Sequence, residues 1–149
     1  MKRVIAAVAL VGAFLASHGL LAGSLEDNYK EGKIKIQKAG PFDKKKHVNI
    51  DIGKKVTFKI KVFQNDFFGL DVINANAKIA NTTKETLTGV YSIAFFDKDG
   101  KLVACHQGRW DLKPGEDINY GSAIIVVDPK SIASVTSYKL KTQVFKKKK

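Results

Sequence analysis

Beyond its first two dozen residues the chain offers one cysteine and two histidines for nucleophilic or metal chemistry: Cys105, His106 and His47. Cys105 and His106 are adjacent, so in a strand their side chains point to opposite faces. They cannot serve one face as a nucleophile–base pair. With His47 they form the donor set of a copper or zinc site, which leaves a metal-binding alternative open. The tight recurrent ligand spacing of metal signatures is absent. The expectation is a small, buried Cys105 and a surface His106 on the opposite face.

The carboxylates point away from catalysis. Asp97-Lys98-Asp99-Gly100 opens like a calcium loop, but the downstream ligands ending in Glu are missing, and a hairpin turn is the better reading. Asp111, Glu116 and Asp117 lie near a turn without the apolar pocket that would separate their acidities for acid–base work. No Gly-x-Ser-x-Gly elbow and no glycine-rich phosphate loop occur. Asn81-Thr82-Thr83 fits a glycosylation sequon and reads here as a polar strand end. Trp110, Phe67-Phe68 and Phe95-Phe96 could stack on bases or sugar rings but read as core or loop packing. The expectation is no enzyme, no cofactor and no metal.

The cations are the stronger signal. The formal charge is +12, with 26 Lys+Arg against 14 Asp+Glu. Residues 28–61 hold eleven lysines against three acids, whereas residues 62–145 are neutral and the tail 146–149 is all lysine. Alternation places Lys59 and Lys61 opposite Phe58, Ile60 and Val62, with Lys55 and Thr57 continuing the row, and Lys33 and Lys35 opposite Ile34 and Ile36. Lys139 and Lys141 stand likewise opposite Tyr138 and Leu140. If these strands are neighbours, their lysines make one basic face. The binding residues expected are Lys33, Lys35, Lys44, Lys45, Lys46, Lys55, Lys59 and Lys61. Lysine is a hydrated point charge, whereas sequence-specific nucleic-acid readers favour the planar fork of arginine. The partner classes are therefore an anionic surface polymer, lipid headgroups or another envelope protein, with no sequence-specific nucleic acid. A solvated face whose lysines discourage edge pairing is the bland alternative.

The elements that position these groups are strands. Period-two alternation recurs in Lys33–Gln37, Val48–Ile52, Val56–Val62, Leu70–Ile79, Gly89–Phe96, Lys101–Trp110, Asp117–Val127 and Val135–Phe145. Turn chemistry separates them, with Asp99-Gly100 the clearest hairpin signal. The expected fold is all-β, an antiparallel immunoglobulin-like sandwich of seven to eight strands. The chain's 149 residues suit one domain. Met1-Lys2-Arg3, the apolar run Val4–Leu15 and small residues to Ser24 read as a secretory signal over residues 1–23. An uncleaved anchor is the alternative. No cysteine lies near the cut, so a lipoprotein is not expected, nor is a transmembrane segment after cleavage. The domain then spans 24–145, secreted or periplasmic.

Residues 72–145 resemble the FxLYD-type immunoglobulin-like domains of bacterial exported proteins. The likeness rests on Ala77-Lys78-Ile79-Ala80-Asn81-Thr82, on Ile93-Ala94-Phe95-Phe96-Asp97 with Gly100, and on Leu112-Lys113-Pro114-Gly115-Glu116. Asp97 alone matches the family's five-residue name outright. The resemblance implies a sandwich and leaves the basic strands of 24–70 unexplained. The function expected is an exported, non-enzymatic binding module. A structural accessory domain with no ligand of its own is the alternative.

Overall fold

The computed structural model describes residues 23–126 and 128–147; the expected signal lies outside them. Among the described residues nine strands run in order: β1 (Glu26–Lys33), β2 (Val48–Ile52), β3 (Val56–Phe67), β4 (Leu70–Asn81), β5 (Leu87–Asp97), β6 (Leu102–Leu112), β7 (Asp117–Tyr120), β8 (Ala123–Ile125) and β9 (Val135–Lys146). Two antiparallel sheets form a sandwich. The first has the order β1-β9-β5-β6, and the second the order β2-β3-β4-β7, with β8 also on β4. The antiparallel sandwich expected from the alternation is thus the fold observed.

Three boundaries differ most from the expectation. β3 runs on from Val62 to Phe67. The first strand is Glu26–Lys33 rather than Lys33–Gln37. Its alternation is poor, and its register comes from β9, where Glu26 pairs with Val144 and Lys33 with Ser137. The Asp117–Val127 run is split at Gly121-Ser122 into β7 and β8, which meet different stretches of β4.

Inward residues of both sheets interdigitate. Phe58, Ile60 and Val62 of β3 face Tyr91, Ile93 and Trp110 of the other sheet in one cluster. The Trp110 ring stands edge-on to Phe58, with centroids 5.9 Å apart. Burying a side chain such as Phe58 contributes about 2–3 kcal/mol. The glycines of β5 and β6 are spatial requirements. A Cβ on Gly89 would run into the Trp110 ring and the Gln143 carbonyl, and one on Gly108 into the Tyr91 ring.

Of the three segments carrying the family resemblance, 77–82 and 112–116 are tied together by Asn81. Its buried amide Nδ2 donates to the carbonyls of Glu85 (2.8 Å) and Lys113 (3.0 Å), while its Oδ1 accepts from the Thr83 N–H and hydroxyl. The turn after β5 is a hairpin, as expected: Asp97 Oδ1 accepts from the N–H groups of Asp99 and Lys101, and Gly100 has φ +73°.

Candidate functional site: a cationic groove on the outer face of one sheet

β3 alternates strictly, so Lys59, Lys61 and Phe63 point out of the sandwich. Register sets their neighbours. Lys59 lies between Asp51 and Lys78, with Asn119 beyond; Lys61 lies between Asn49 and Asn76; Phe63 lies opposite Asn74. Lys59 and Lys78 are direct cross-strand partners, a like-charge pair that works against stability. Asp117 relieves Lys78 through an ion pair of 2.6 Å.

The segment before β2 folds over this face. Residues 37–39 continue the sheet at Gln64, with Ala39 N–H donating to the Gln64 carbonyl at 2.8 Å. The chain then turns at Gly40 and makes a short 3-10 turn, Lys44–Lys46, held by an Asp43–Lys46 ion pair of 2.9 Å. His47 closes the loop. Its ring stacks on Phe63 with centroids 4.2 Å apart and its Nε2 lies 3.0 Å from the Gly40 carbonyl.

Between this loop and the sheet lies a groove of about 440 Å³, lined by Pro41, Lys44, His47, Lys59, Lys61, Phe63, Asn76, Lys78, Asn119 and Tyr120. Among the described residues, Lys44, Lys59 and Lys61 make no ion pair. Three ammonium groups outside any ion pair and two carboxamides thus surround one concavity beside the His47 ring, a donor set for an anion.

The eight expected lysines do not form one face. Lys44, Lys59 and Lys61 meet in the groove. Lys45 and Lys46 are exposed on the loop above it. Lys33 ends β1 in the other sheet, and Lys35 follows it on the crossing between sheets. Lys55 stands at the β2–β3 turn, at the far end, where its N–H donates to Glu26 Oε2 at 2.8 Å. Lys139 and Lys141 lie on β9, opposite Glu31 and Tyr29. The single basic face is corrected for this reason: β1 and β9 belong to one sheet and β3 to the other. Lys78, His47, Asn76 and Asn119 complete the groove and were not among the expected binding residues. Only knowledge of the β3–β4 register would have found Lys78.

Cysteine and histidine are placed otherwise than expected. Cys105 is exposed, on the outer face of the first sheet, and His106 points inward. The opposite-face rule holds with the faces exchanged. His47 lies on the outer face of the second sheet, so the thickness of the sandwich, about 10 Å between sheets, separates it from Cys105. Among the described residues no group of three metal-ligating side chains occurs.

His106 bridges the sheets. The Ser122 hydroxyl lies 2.6 Å and the Tyr91 hydroxyl 3.1 Å from its Nε2. Burial pushes the imidazole below its ordinary value. Among the described residues no carboxylate hydrogen-bonds its other nitrogen, so the orienting member of a catalytic triad is not supplied. The group acts as an inter-sheet tie. The remaining carboxylates are dispersed: Asp111 pairs with Lys147 at 3.1 Å, Asp117 with Lys78, and Glu116 accepts the Lys113 N–H at 2.8 Å. Trp110 and Phe95 are core residues as expected, whereas Phe67 and Phe68 are exposed.

No family model and no curated protein sequence matches the chain. Solved structures give distant likenesses. The trimeric lipoprotein SadB of Salmonella enterica is 12% identical with a TM-score of 0.45, covering 98% of this chain and 75% of that one. A DUF1425 family member from Shewanella sp. pv-4 is 11% identical with a TM-score of 0.37, covering 69% and 89%. The structure of infectious bursal disease virus Gx strain is 15% identical with a TM-score of 0.40, covering 85% and 28%. Nothing about activity follows from likeness at this level. The class of the protein, an antiparallel β-sandwich, rests on its own strand pairing.

Proposed function

We propose that the protein is an exported, non-enzymatic binding module that takes anionic groups of an envelope surface into the groove under the 40–47 loop. One observation carries this reading: Lys44, Lys59 and Lys61 converge on one concavity and, among the described residues, none of them makes an ion pair. A merely solvated face would tolerate such lysines but has no use for a loop that brings Lys44 over Lys59 and Lys61.

Export is read from the leader-like residues 1–23, and the FxLYD likeness of 72–145 fits a domain of exported proteins. Lysine favours diffuse recognition of phosphate or sulfate-like charges over base reading. Retention on immobilised heparin, a generic polyanion, tests the groove. The triple change Lys44→Gln, Lys59→Gln, Lys61→Gln is expected to elute at clearly lower salt than the wild type. The matched change Lys33→Gln, Lys35→Gln, Lys55→Gln is expected to elute close to wild type. Equal shifts from both sets contradict a localised site.

A further inference from the structure

The outer face that carries the groove ends in an apolar tip. β3 and β4 extend past the start of β2: Val48 pairs with Val62, and the hairpin continues five residues to Phe67, which pairs with Leu70. The two-residue turn between them is Phe68-Gly69, with φ +53° and +81°, the positive-φ pair that Asn-Gly fills without strain. A phenylalanine there is a genuine outlier. It is 91% exposed and touches the edge of Phe67, also exposed, with ring centroids 4.7 Å apart. The turn itself does not require this side chain. Asp66 Oδ1 already secures it by accepting the Gly69 N–H at 2.9 Å.

Alternation puts Phe67 and Leu70 on the same face as Lys59 and Lys61. Ile125, paired with Val72, adds a third exposed apolar side chain beside them. Phe42, also 91% exposed, lies in the loop that carries Lys44, Lys45 and Lys46 and adds an apolar side chain to the loop over the groove. The face thus passes from apolar at the tip to cationic in the groove over six residues of β3, about 20 Å. The acids at this end are engaged: Asp71 pairs with Lys38 at 3.0 Å, Asp43 with Lys46, and Asp66 with its own turn.

We propose that this face docks on an anionic lipid bilayer. Phe68, Phe67 and Leu70 enter the boundary between headgroups and acyl chains, while the groove and loop lysines meet anionic headgroups. The proposal rests on the anion-binding reading of the groove and adds the bilayer as its source. Apolar side chains next to lysines are the combination that gives interfacial binding, each weak alone. A soluble polyanion would satisfy the lysines and leave the strained, exposed Phe68 without a role.

The test uses the purified protein with vesicles of phosphatidylcholine, alone and mixed with phosphatidylglycerol. The wild type is expected to co-sediment with the mixed vesicles, less at high salt. Phe68→Asn suits the positive φ and preserves the turn; it is expected to weaken vesicle partition about tenfold and to leave heparin retention unchanged. Phe68→Trp is expected to be quenched by acyl chains carrying bromine, whereas the buried Trp110 of the wild type is not. If Phe68→Asn binds vesicles like the wild type, or Phe68→Trp is not quenched, the bilayer proposal is overturned even with heparin retention intact, and the tip then belongs to a protein contact. If the wild type neither binds mixed vesicles nor is retained on heparin, the groove reading falls with it.

Discussion

The imidazole of His47 lies nearly parallel to the ring of Phe63, 14° between planes and 4.2 Å between centroids. This contact pins the 40–47 loop to the outer face of β3, buries an aromatic ring on the solvent side of the sheet, and holds Lys44 over Lys59 and Lys61. The groove therefore depends on a stacking pair that contains no lysine.

Replacing His47 by Ala is expected to loosen the loop without unfolding the sandwich, because the main core does not include either ring. Trypsin cleavage at Lys44–Lys46 should accelerate several-fold, while the urea midpoint moves little. Unchanged cleavage would mean that the loop is held by its other contacts, chiefly Ala39 on Gln64.

Gly89 lies beneath Trp110, and a Cβ there meets the indole ring and the Gln143 carbonyl. Gly89→Ala should destabilise by about 3 kcal/mol, seen as an earlier chemical unfolding transition followed by Trp110 fluorescence. A wild-type midpoint would show that the indole has room to move.

Asn81→Ala removes donors to the 82–86 loop and to the turn after β6 and leaves their carbonyls unpaired. A loss of about 2–3 kcal/mol is expected. Because the Asn81 amide is buried and fully used, a glycan attached there before folding would displace these hydrogen bonds, so folded protein secreted from a glycosylating host should carry none. Mass spectrometry of protein secreted from such a host checks this.

Stability should fall with acid in two separable windows. His106 titrates below its ordinary 6.5 because burial disfavours the imidazolium. The unfolded chain therefore takes up this proton first, and stability declines as the pH drops below about 6.5. Burial raises Glu26, but hydrogen bonds from the Lys54 N–H, the Asn28 amide and the Lys55 N–H outweigh it and leave the carboxyl below 4.5. Its contribution is present above about 4.5 and lost at lower pH. Urea midpoints against pH should lose the upper slope in His106→Gln and the lower slope in Glu26→Gln. Persistence of the upper slope in His106→Gln would assign it elsewhere.

Much of this architecture is legible from local pattern. Alternation in 56–62, 70–79 and 89–96 states which side chains are buried, and Asp99-Gly100 states a turn, because both are properties of neighbouring residues. Which strands lie side by side is a property of distant ones. Lys59 and Lys78 are nineteen positions apart in sequence yet directly opposed in the sheet, so Lys78 cannot be recognised from its own surroundings. β1 alternates poorly because its sequence carries one aromatic and otherwise polar or glycine residues, and its place is fixed by pairing with β9. The inversion of Cys105 and His106 has a similar cause: alternation fixes that the two point apart, and only the Ser122 hydroxyl from the opposite sheet and the Tyr91 hydroxyl on the paired strand show which one turns inward.

The most direct measurement is amide chemical-shift mapping while the isotope-labelled protein is titrated with a heparin oligosaccharide. The groove account predicts that shifts concentrate at Lys44, His47, Lys59, Lys61, Asn76, Lys78 and Asn119 and diminish with added salt. Shifts centred on Lys33, Lys55 or the β9 lysines, or spread evenly over both sheets, would contradict it.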